Sequence, residues 1–196
     1  MKGVLTLTTA PAALLTTAVA KTHARITVST DDTYVDLLIA AATQAVENWT
    51  GRSLLHTVWT WTLPGWWARD EHLPRGPLYT VTHIKYLDND GVQQTLAADQ
   101  YALMYAGADK HPGLIVPAYG VAWPSHRYQE NAIEVRYTAG YHASAAASVP
   151  QLLVHAVKLL IEHWYNNRQP VVTGTIVADL PFGIADLLAP YKLRDF

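Results

Sequence analysis

The nine histidines of this chain have the widest range of possible chemistry, because imidazole binds metals and exchanges protons near neutral pH. They stand at positions 23, 56, 72, 83, 111, 126, 142, 155 and 163. No two have the spacing of a helical zinc-binding motif, and the sequence contains no His-Glu-x-x-His. His155 and His163 are eight residues apart and could share one helix face. The pattern predicts no metal site and favours interfacial or hydrogen-bonded core positions for these side chains.

Other patterns that could support catalysis also have simpler explanations. Asp70-Glu71-His72 could supply an acid and a base, but in a loop it is more typical of a solvated charge cluster. Asp31-Asp32 is explained by a helix N-terminus, where acidic groups are favourable. The sequence has no Gly-x-Ser-x-Gly elbow, no phosphate-binding loop and no dinucleotide fingerprint. It has no cysteine, which removes thiolate nucleophiles and disulfides. We therefore expect no catalytic residues, no cofactor and no enzymatic activity.

Three tryptophans, Trp66, Trp67 and Trp123, fall in predicted loops. Tryptophan is enriched at the energetic centres of protein interfaces, and its ring can also stack on a sugar or a base. An equally good explanation is that these rings fold back as a lid over the sheet. Basic residues are scattered along the sequence, and the net charge is −2, so nothing global indicates nucleic-acid binding.

The composition limits the class of protein. The chain has 196 residues, which fits one domain with an appendage. Half of the residues are hydrophobic and 15% are charged, below the usual share of about 25%. Sparse charge favours a protein whose surface is partly buried by partners, although a large core would also explain it. No run approaches the ~20 apolar residues of a membrane span.

The N-terminal segment has two interpretations. Met1-Lys2 followed by residues 4–20 resembles a signal peptide, and Ala18-Val19-Ala20 fits its cleavage pattern. Five threonines and Pro11 interrupt this segment, however, and only one basic side chain precedes it. We favour a structural segment and keep secretion as the minority alternative.

Helical periodicity and start signals predict three helices. Pro11 fits the first turn of a helix over 12–21, and Ser29-Thr30-Asp31-Asp32 precedes a helix over 31–50. Val149-Pro150 begins a third helix, over 150–167, with apolar residues at helical spacing.

Alternating sequences between these helices predict an antiparallel β region over 54–140. Its central stretch, Leu73–Gly91, comprises a proline-bracketed entry, a strand over 79–87 and a turn at Asp88-Asn89-Asp90-Gly91. The other strands are predicted at 55–63, 92–96, 101–105, 113–116 and 132–138. The fold class is thus α+β, with a small helical bundle beside an antiparallel sheet. Residues 1–168 form the predicted core domain. Residues 169–196 form a C-terminal arm, extended to Phe182 and then closing in a short helix over 183–193.

An ordered set of motifs covers residues 12–168. Each is weakly specific alone: Val46-Glu47-Asn48-Trp49-Thr50-Gly51-Arg52, Leu73-Pro74-Arg75-Gly76-Pro77-Leu78, Val135-Arg136-Tyr137-Thr138-Ala139-Gly140-Tyr141, and Glu162-His163-Trp164-Tyr165-Asn166-Asn167-Arg168. In this order they resemble the head–tail connector (adaptor) proteins of tailed phages and of gene transfer agents. Ala24-Arg25-Ile26 and Lys192 depart from the family's usual Leu-Arg-Ile/Val sequence and arginine.

The resemblance implies a structural role at the head–tail junction of a virion or phage-like particle, assembled in the host cytoplasm. Such proteins form a ring, typically of twelve copies, beneath the portal. The ring joins the portal to stopper or tail proteins, and double-stranded DNA passes through it without sequence readout. In such a ring, the strand over 79–87 would meet its own core on one side and a neighbouring copy on the other through Tyr79, His83 and Lys85.

The apolar C-terminal arm needs a surface to cover it. It either packs on its own domain or docks on a neighbour, and we favour docking on the portal. The candidate portal-binding residues are Ile176, Leu180, Phe182, Ile184, Leu187, Leu188, Tyr191 and Phe196. Trp66, Trp67 and Trp123 are candidate interface residues in loops.

Two other functions stay open from the residues. A secreted carbohydrate-binding module would use the three tryptophans as a monomer after cleavage behind Ala20. A hydrolase, ranked last, would need a histidine–carboxylate pair in a cleft.

Overall fold

A computed structural model describes residues 3–67, 72–109, 111–168 and 182–193. The strands are β1 (Val4–Thr9), β2 (Thr57–Leu63), β3 (Leu78–Leu87), β4 (Gln93–Thr95), β5 (Tyr101–Met104), β6 (Leu114–Pro117) and β7 (Ile133–Ala139). The helices are α1 (Thr17–Ala24), α2 (Asp32–Thr50), α3 (Gln151–Asn166) and α4 (Phe182–Leu188), and short 3-10 turns lie at 98–100, 146–148 and 189–191. The predicted α+β class is confirmed.

The helices build one of two hydrophobic cores. α2 and α3 bury apolar stripes at helical spacing against each other, and their predicted ends differ from the observed ones by only one residue. Val35, Ala42 and Val46 of α2 are fully buried, as are Leu153 and Val157 of α3. α1 and α4 cover the flanks of this pair.

The strands build the second core. All pairings in the five-stranded sheet are antiparallel, in the order β1-β2-β7-β3-β4, and β5 and β6 form a separate hairpin. Along the central strand β7, buried and half-buried residues alternate strictly, so one sheet face is covered. Tyr137 lies in that covered face and donates a 2.6 Å hydrogen bond from its hydroxyl to the Pro74 carbonyl oxygen. Burial raises the pKa of Tyr137.

The secondary structure predicted for the N-terminal segment was wrong, although the segment is part of the described fold. Residues 4–9 form β1 because they pair antiparallel with β2. The first helix begins at Thr17 rather than residue 12, since the Thr16 hydroxyl accepts a hydrogen bond from the Val19 amide and caps it. Residues 10–16 connect the two elements.

The stretch Leu73–Gly91 contains the predicted strand and turn. β3 runs along β7 and ends at Leu87, and Gly91 has a φ of +83°, which favours glycine. The Asp88 carboxylate accepts hydrogen bonds from the Gln94 side chain and from the Asp90 and Val92 amides, which hold its pKa below the usual range. The local sequence thus determines this turn.

The C-terminal region is helical where it is described. The short closing helix predicted over 183–193 corresponds to α4 and the following turn at Ala189–Tyr191. The extended arm predicted at 169–181 lies outside the described residues, as do Ile176, Leu180 and Phe196. No helix in the described parts of the chain is long and apolar enough to cross a membrane.

Candidate partner-binding surfaces

The loop tryptophans form a cluster over the covered face of the sheet. Trp67 is only 4% exposed and donates a 3.0 Å hydrogen bond from its indole nitrogen to the Ile115 carbonyl oxygen. Trp66 stacks on Trp123 with ring centroids 4.7 Å apart, and its indole nitrogen donates to the Pro124 carbonyl oxygen. These contacts are the ones expected if the three tryptophan rings fold back as a lid over the sheet. Trp66 and Trp123 are half-buried, so their outer edges keep the predicted interface role open.

The C-terminal candidates divide into two groups. Ile184 and Leu188 are 5% and 0% exposed and belong to the chain's own helical core. Leu187 and Tyr191 of the same segment are half-buried, and Tyr191 also packs against that core. Packing on the chain's own domain therefore accounts for the first pair, and only the second pair is partly accessible to a partner.

Arg52 fastens this C-terminal segment to the core. Its side chain is buried, and its Nε donates a hydrogen bond to the Tyr191 carbonyl oxygen. Its Nη1 donates to the Tyr141 hydroxyl at 2.9 Å and lies 3.3 Å from the Asp109 carboxylate. Burial, followed by the hydrogen bond to Asp109, raises the pKa of Tyr141. The sequence placed Arg52 at the end of a motif but did not predict this role, because its local signal was only a basic residue directly after a helix-ending glycine.

The histidines do not assemble into a reactive site. The His56 ring packs against Tyr79 at a tilt and lies near His142, with ring centroids 4.1 and 6.2 Å away. His155 contacts His23 edge-on, whereas His163 contacts Asn167. No group of metal-ligating side chains is found among the described residues.

Histidine–carboxylate pairs do form. His23 Nε2 of α1 lies 3.4 Å from Glu162 Oε2 of α3. His83 Nε2 and Glu134 Oε1 are 2.8 Å apart on the uncovered face of the sheet. Of the acid–base candidate Asp70-Glu71-His72, only His72 lies in the described part of the chain, where it bridges to Leu114. The open position of His83–Glu134 does not match the cleft that the hydrolase alternative requires.

A cleft of about 480 Å³ separates α2 from the sheet. Glu47 lies at its edge and accepts a 2.7 Å hydrogen bond from the Leu54 amide. Arg75, with a φ of +60°, donates to the Asn48 side chain at 2.6 Å and lies over the Trp59 ring. Burial raises the pKa of Glu47, and the Leu54 hydrogen bond and Arg75 offset only part of that rise.

Glu47→Gln is expected to remove a pH dependence from folding stability. Because the folded-state pKa of Glu47 lies above its ordinary value of 4.5, stability gained from this group appears as pH falls through the folded pKa and is complete below 4.5. At pH 7 the variant should match or exceed the wild type, since the amide oxygen still accepts from Leu54. Urea unfolding at pH 5 and pH 7 measures both effects.

Glu47→Ala serves as the control for that experiment. It leaves the buried Leu54 amide without its acceptor and should cost about 1–3 kcal/mol at both pH values. If Glu47→Gln were as destabilising as Glu47→Ala at pH 7, the carboxylate charge itself would stabilise the fold.

Comparisons with known proteins identify the family. The sequence matches the family described as head completion protein over residues 13–176. The chain belongs to the head completion protein family. No curated protein matches it. The fold is similar to a chain in the virion of a native gene transfer agent particle, with a TM-score of 0.80, 26% identity, and coverage of 98% of this chain and 97% of that chain.

Two further structures come from the necks of gene transfer agent particles. One neck is from an empty particle with C6 symmetry (TM-score 0.78) and one from a native particle with C12 symmetry (TM-score 0.72). Both are 25% identical and cover 98% of this chain and 97% of the other. These findings confirm the predicted head–tail connector function and its location at the head–tail junction of a phage-like particle. The carbohydrate-binding alternative has no support.

Proposed function

We propose that this head completion protein assembles into a twelve-copy ring in the neck of its particle. The similarity to a chain from a neck with C12 symmetry carries this proposal. A ring with one chain per step needs two different, complementary surfaces on every copy. The sparse charge and the exposed apolar side chains, such as Leu37 and Val4, fit a subunit with extensive contacts.

The ring would join the portal on one side to stopper or tail proteins on the other, with DNA passing through its centre. Its role there is structural and not enzymatic. Two observations support the structural role: the chain belongs to the head completion protein family, and the His83–Glu134 pair lies on an open sheet face instead of in a cleft.

The C-terminal segment supplies the proposed portal contact. Ile184 and Leu188 would anchor the segment in the subunit core, while Leu187 and Tyr191 would face the portal. Ile176, Leu180, Phe182 and Phe196 complete the proposed surface from sequence alone. A segment fixed at its base by Arg52 loses less conformational entropy on binding than a free one would.

Particle production without this chain tests the function. We expect heads and tails that remain unjoined in electron micrographs, and expression of the intact chain should restore joined particles. Averaged images of the restored necks should show twelve copies beneath the portal. Joined, infectious or transducing particles in the absence of the chain would contradict the connector role.

A further inference from the structure

The cleft between α2 and the sheet has a mainly apolar lining. Its volume is about 480 Å³, and it is lined by Ile39 and Ala40 of α2, by residues 10–14 and by Trp59 of β2. Leu7, which also lines it, is 49% exposed. Apolar surface that is open to water in this way marks a place where another segment of protein packs.

A guanidinium lies at the end of this cleft that is formed by the last turn of α2. Arg75 Nη2 donates a 2.6 Å hydrogen bond to the Asn48 side chain, and the guanidinium lies 5.4 Å from the centroid of the Trp59 ring. Arg75 has no salt bridge to any carboxylate of the described residues. Glu47 shares this end of the cleft, but its carboxylate already accepts from the Leu54 amide. The other donors of Arg75 can therefore bind a further carboxylate.

The described part of the C-terminal segment ends at the same place. Leu193, its last residue, donates a 2.8 Å hydrogen bond from its amide to the Thr50 carbonyl oxygen. A Cβ added to Gly76, the residue after Arg75, would lie 3.2 Å from Leu193 Cδ1. The three residues that follow in the sequence, Arg194-Asp195-Phe196, therefore begin beside Arg75.

These three residues have the reach and the chemistry that the cleft requires. Three extended residues span about 10 Å. Gln44, which lines the cleft, lies about 9 Å from Thr50 along the axis of α2. Asp195 supplies a carboxylate for Arg75, and Phe196 supplies a large apolar ring. The second residue can thus reach the guanidinium while the third reaches the apolar lining.

We propose that Asp195 and Phe196 fill the cleft of their own chain. The Asp195 carboxylate binds the Arg75 guanidinium, and the Phe196 ring packs against the apolar lining near Trp59 and Ala40. The occupant is this chain's own segment because that segment begins next to Arg75, has the length to enter the cleft and carries the matching charge.

This placement does not depend on the proposed ring. It assigns Phe196 to the chain's own domain instead of to the portal surface, just as burial assigns Leu188 to the core. Leu187 and Tyr191 stay available to the portal. The C-terminal segment is then fastened at a second point, beyond the hydrogen bond from Arg52 to Tyr191.

A photoreactive side chain at position 196 tests the placement in the purified full chain. p-Benzoylphenylalanine in place of Phe196 keeps an aromatic ring and bonds to nearby C–H groups on irradiation. We expect a product with the mass of one chain. After trypsin digestion, the C-terminal peptide should be joined to a peptide that lines the cleft, 3–21, 26–52 or 53–69. The same side chain in place of the fully exposed Tyr119 is the control and should give no bond between its own peptide and these three.

Each competing occupant gives a different product. A product of twice the chain mass would mean that Phe196 enters the cleft of a second copy. In assembled particles, a product with another particle protein would return Phe196 to the portal surface. Either result, or the absence of any bond to a cleft peptide, would overturn the placement. None of them would affect the connector role, because that role is tested by the joining of heads to tails.

Charge reversal tests the ion pair within the same photoreactive chain. Arg75→Glu and Asp195→Lys should each lower the yield of the product with cleft peptides by about fivefold, since each brings like charges together. The combination should restore the yield toward the original value. Asp195→Lys keeps the test valid if circular dichroism shows that Arg75→Glu does not fold.

Arg25→Glu is the matched control for the reversal at Arg75. Both arginines have a positive φ, 55° for Arg25 and 60° for Arg75, but Arg25 is exposed and does not line the cleft. The yield should therefore stay unchanged in Arg25→Glu. Equal yields in Asp195→Lys and in the unreversed chain would show that no ion pair holds Asp195 at Arg75.

Discussion

Trp67→Ala is expected to lower the free energy of unfolding by about 3–5 kcal/mol. The indole is 4% exposed, contacts Trp61, Trp66 and Trp123, and its removal leaves a cavity at the centre of the lid. It also removes the donor to the Ile115 carbonyl oxygen. For a chain of this size, the loss corresponds to a fall in Tm on the order of 6–20 °C. Far-UV circular dichroism during thermal and urea unfolding measures it.

Tyr119→Ala is the control for the tryptophan variant. Tyr119 is another aromatic residue in a neighbouring loop, but its side chain is fully exposed, so its removal should change stability by no more than about 0.5 kcal/mol. A loss below about 1 kcal/mol for Trp67→Ala would mean that the tryptophans do not form a structural lid and that Trp67 is free to bind a partner.

Leu188→Ala is expected to cost about 2–5 kcal/mol of folding stability. The Leu188 side chain is fully buried in the helical core, on the segment that the sequence predicts to bind the portal. Loss of this contact would weaken the docking of α4 on α3. Chemical unfolding and native-state proteolysis near the C-terminus would both report the change.

Leu187→Ala is the matched control, with the same residue type at the next position of the same helix. Leu187 is only half-buried, so we expect a stability change below about 1 kcal/mol together with weaker retention of the chain on portal-bearing heads. Full retention of Leu187→Ala would remove Leu187 from the proposed portal surface. Equal destabilisation by both variants would contradict the division of the segment into a core side and a partner side.

The family could be predicted from the sequence because its motifs lie where local rules are strong. The glycine after α2 and the Asp88–Gly91 turn have defined backbone requirements, and each is fixed by residues close together in the chain. The strands around residues 57–63 and 133–139 alternate without interruption, which makes their type and ends clear. The glycine after α2 and the strand over 133–139 also belong to two of the motifs that carry the resemblance.

The N-terminal strand was not predicted from its local sequence. Residues 4–9 contain a valine, two leucines and three threonines, a composition compatible with a strand, a leader or the approach to a helix. Its pairing partner, β2, is about fifty residues away, so no short-range signal selects the strand. The Thr16 cap that moved the first helix is likewise one of several threonines that could have served.

The sequence by itself determined the α+β class, the principal helices and the central strands, and the absence of recognised catalytic motifs. Periodicity and turn chemistry act over a few residues, and the chain carries that information directly. Only the tertiary structure decided which apolar residues are buried in the chain's own core. Leu187 and Leu188 have the same side chain, yet Leu188 lies in the core and Leu187 lies at its edge. It also decided that His83, Lys85, Glu134 and Arg136, from distant parts of the sequence, share one face of the sheet. Those properties depend on long-range packing, which brings together residues from distant parts of the chain.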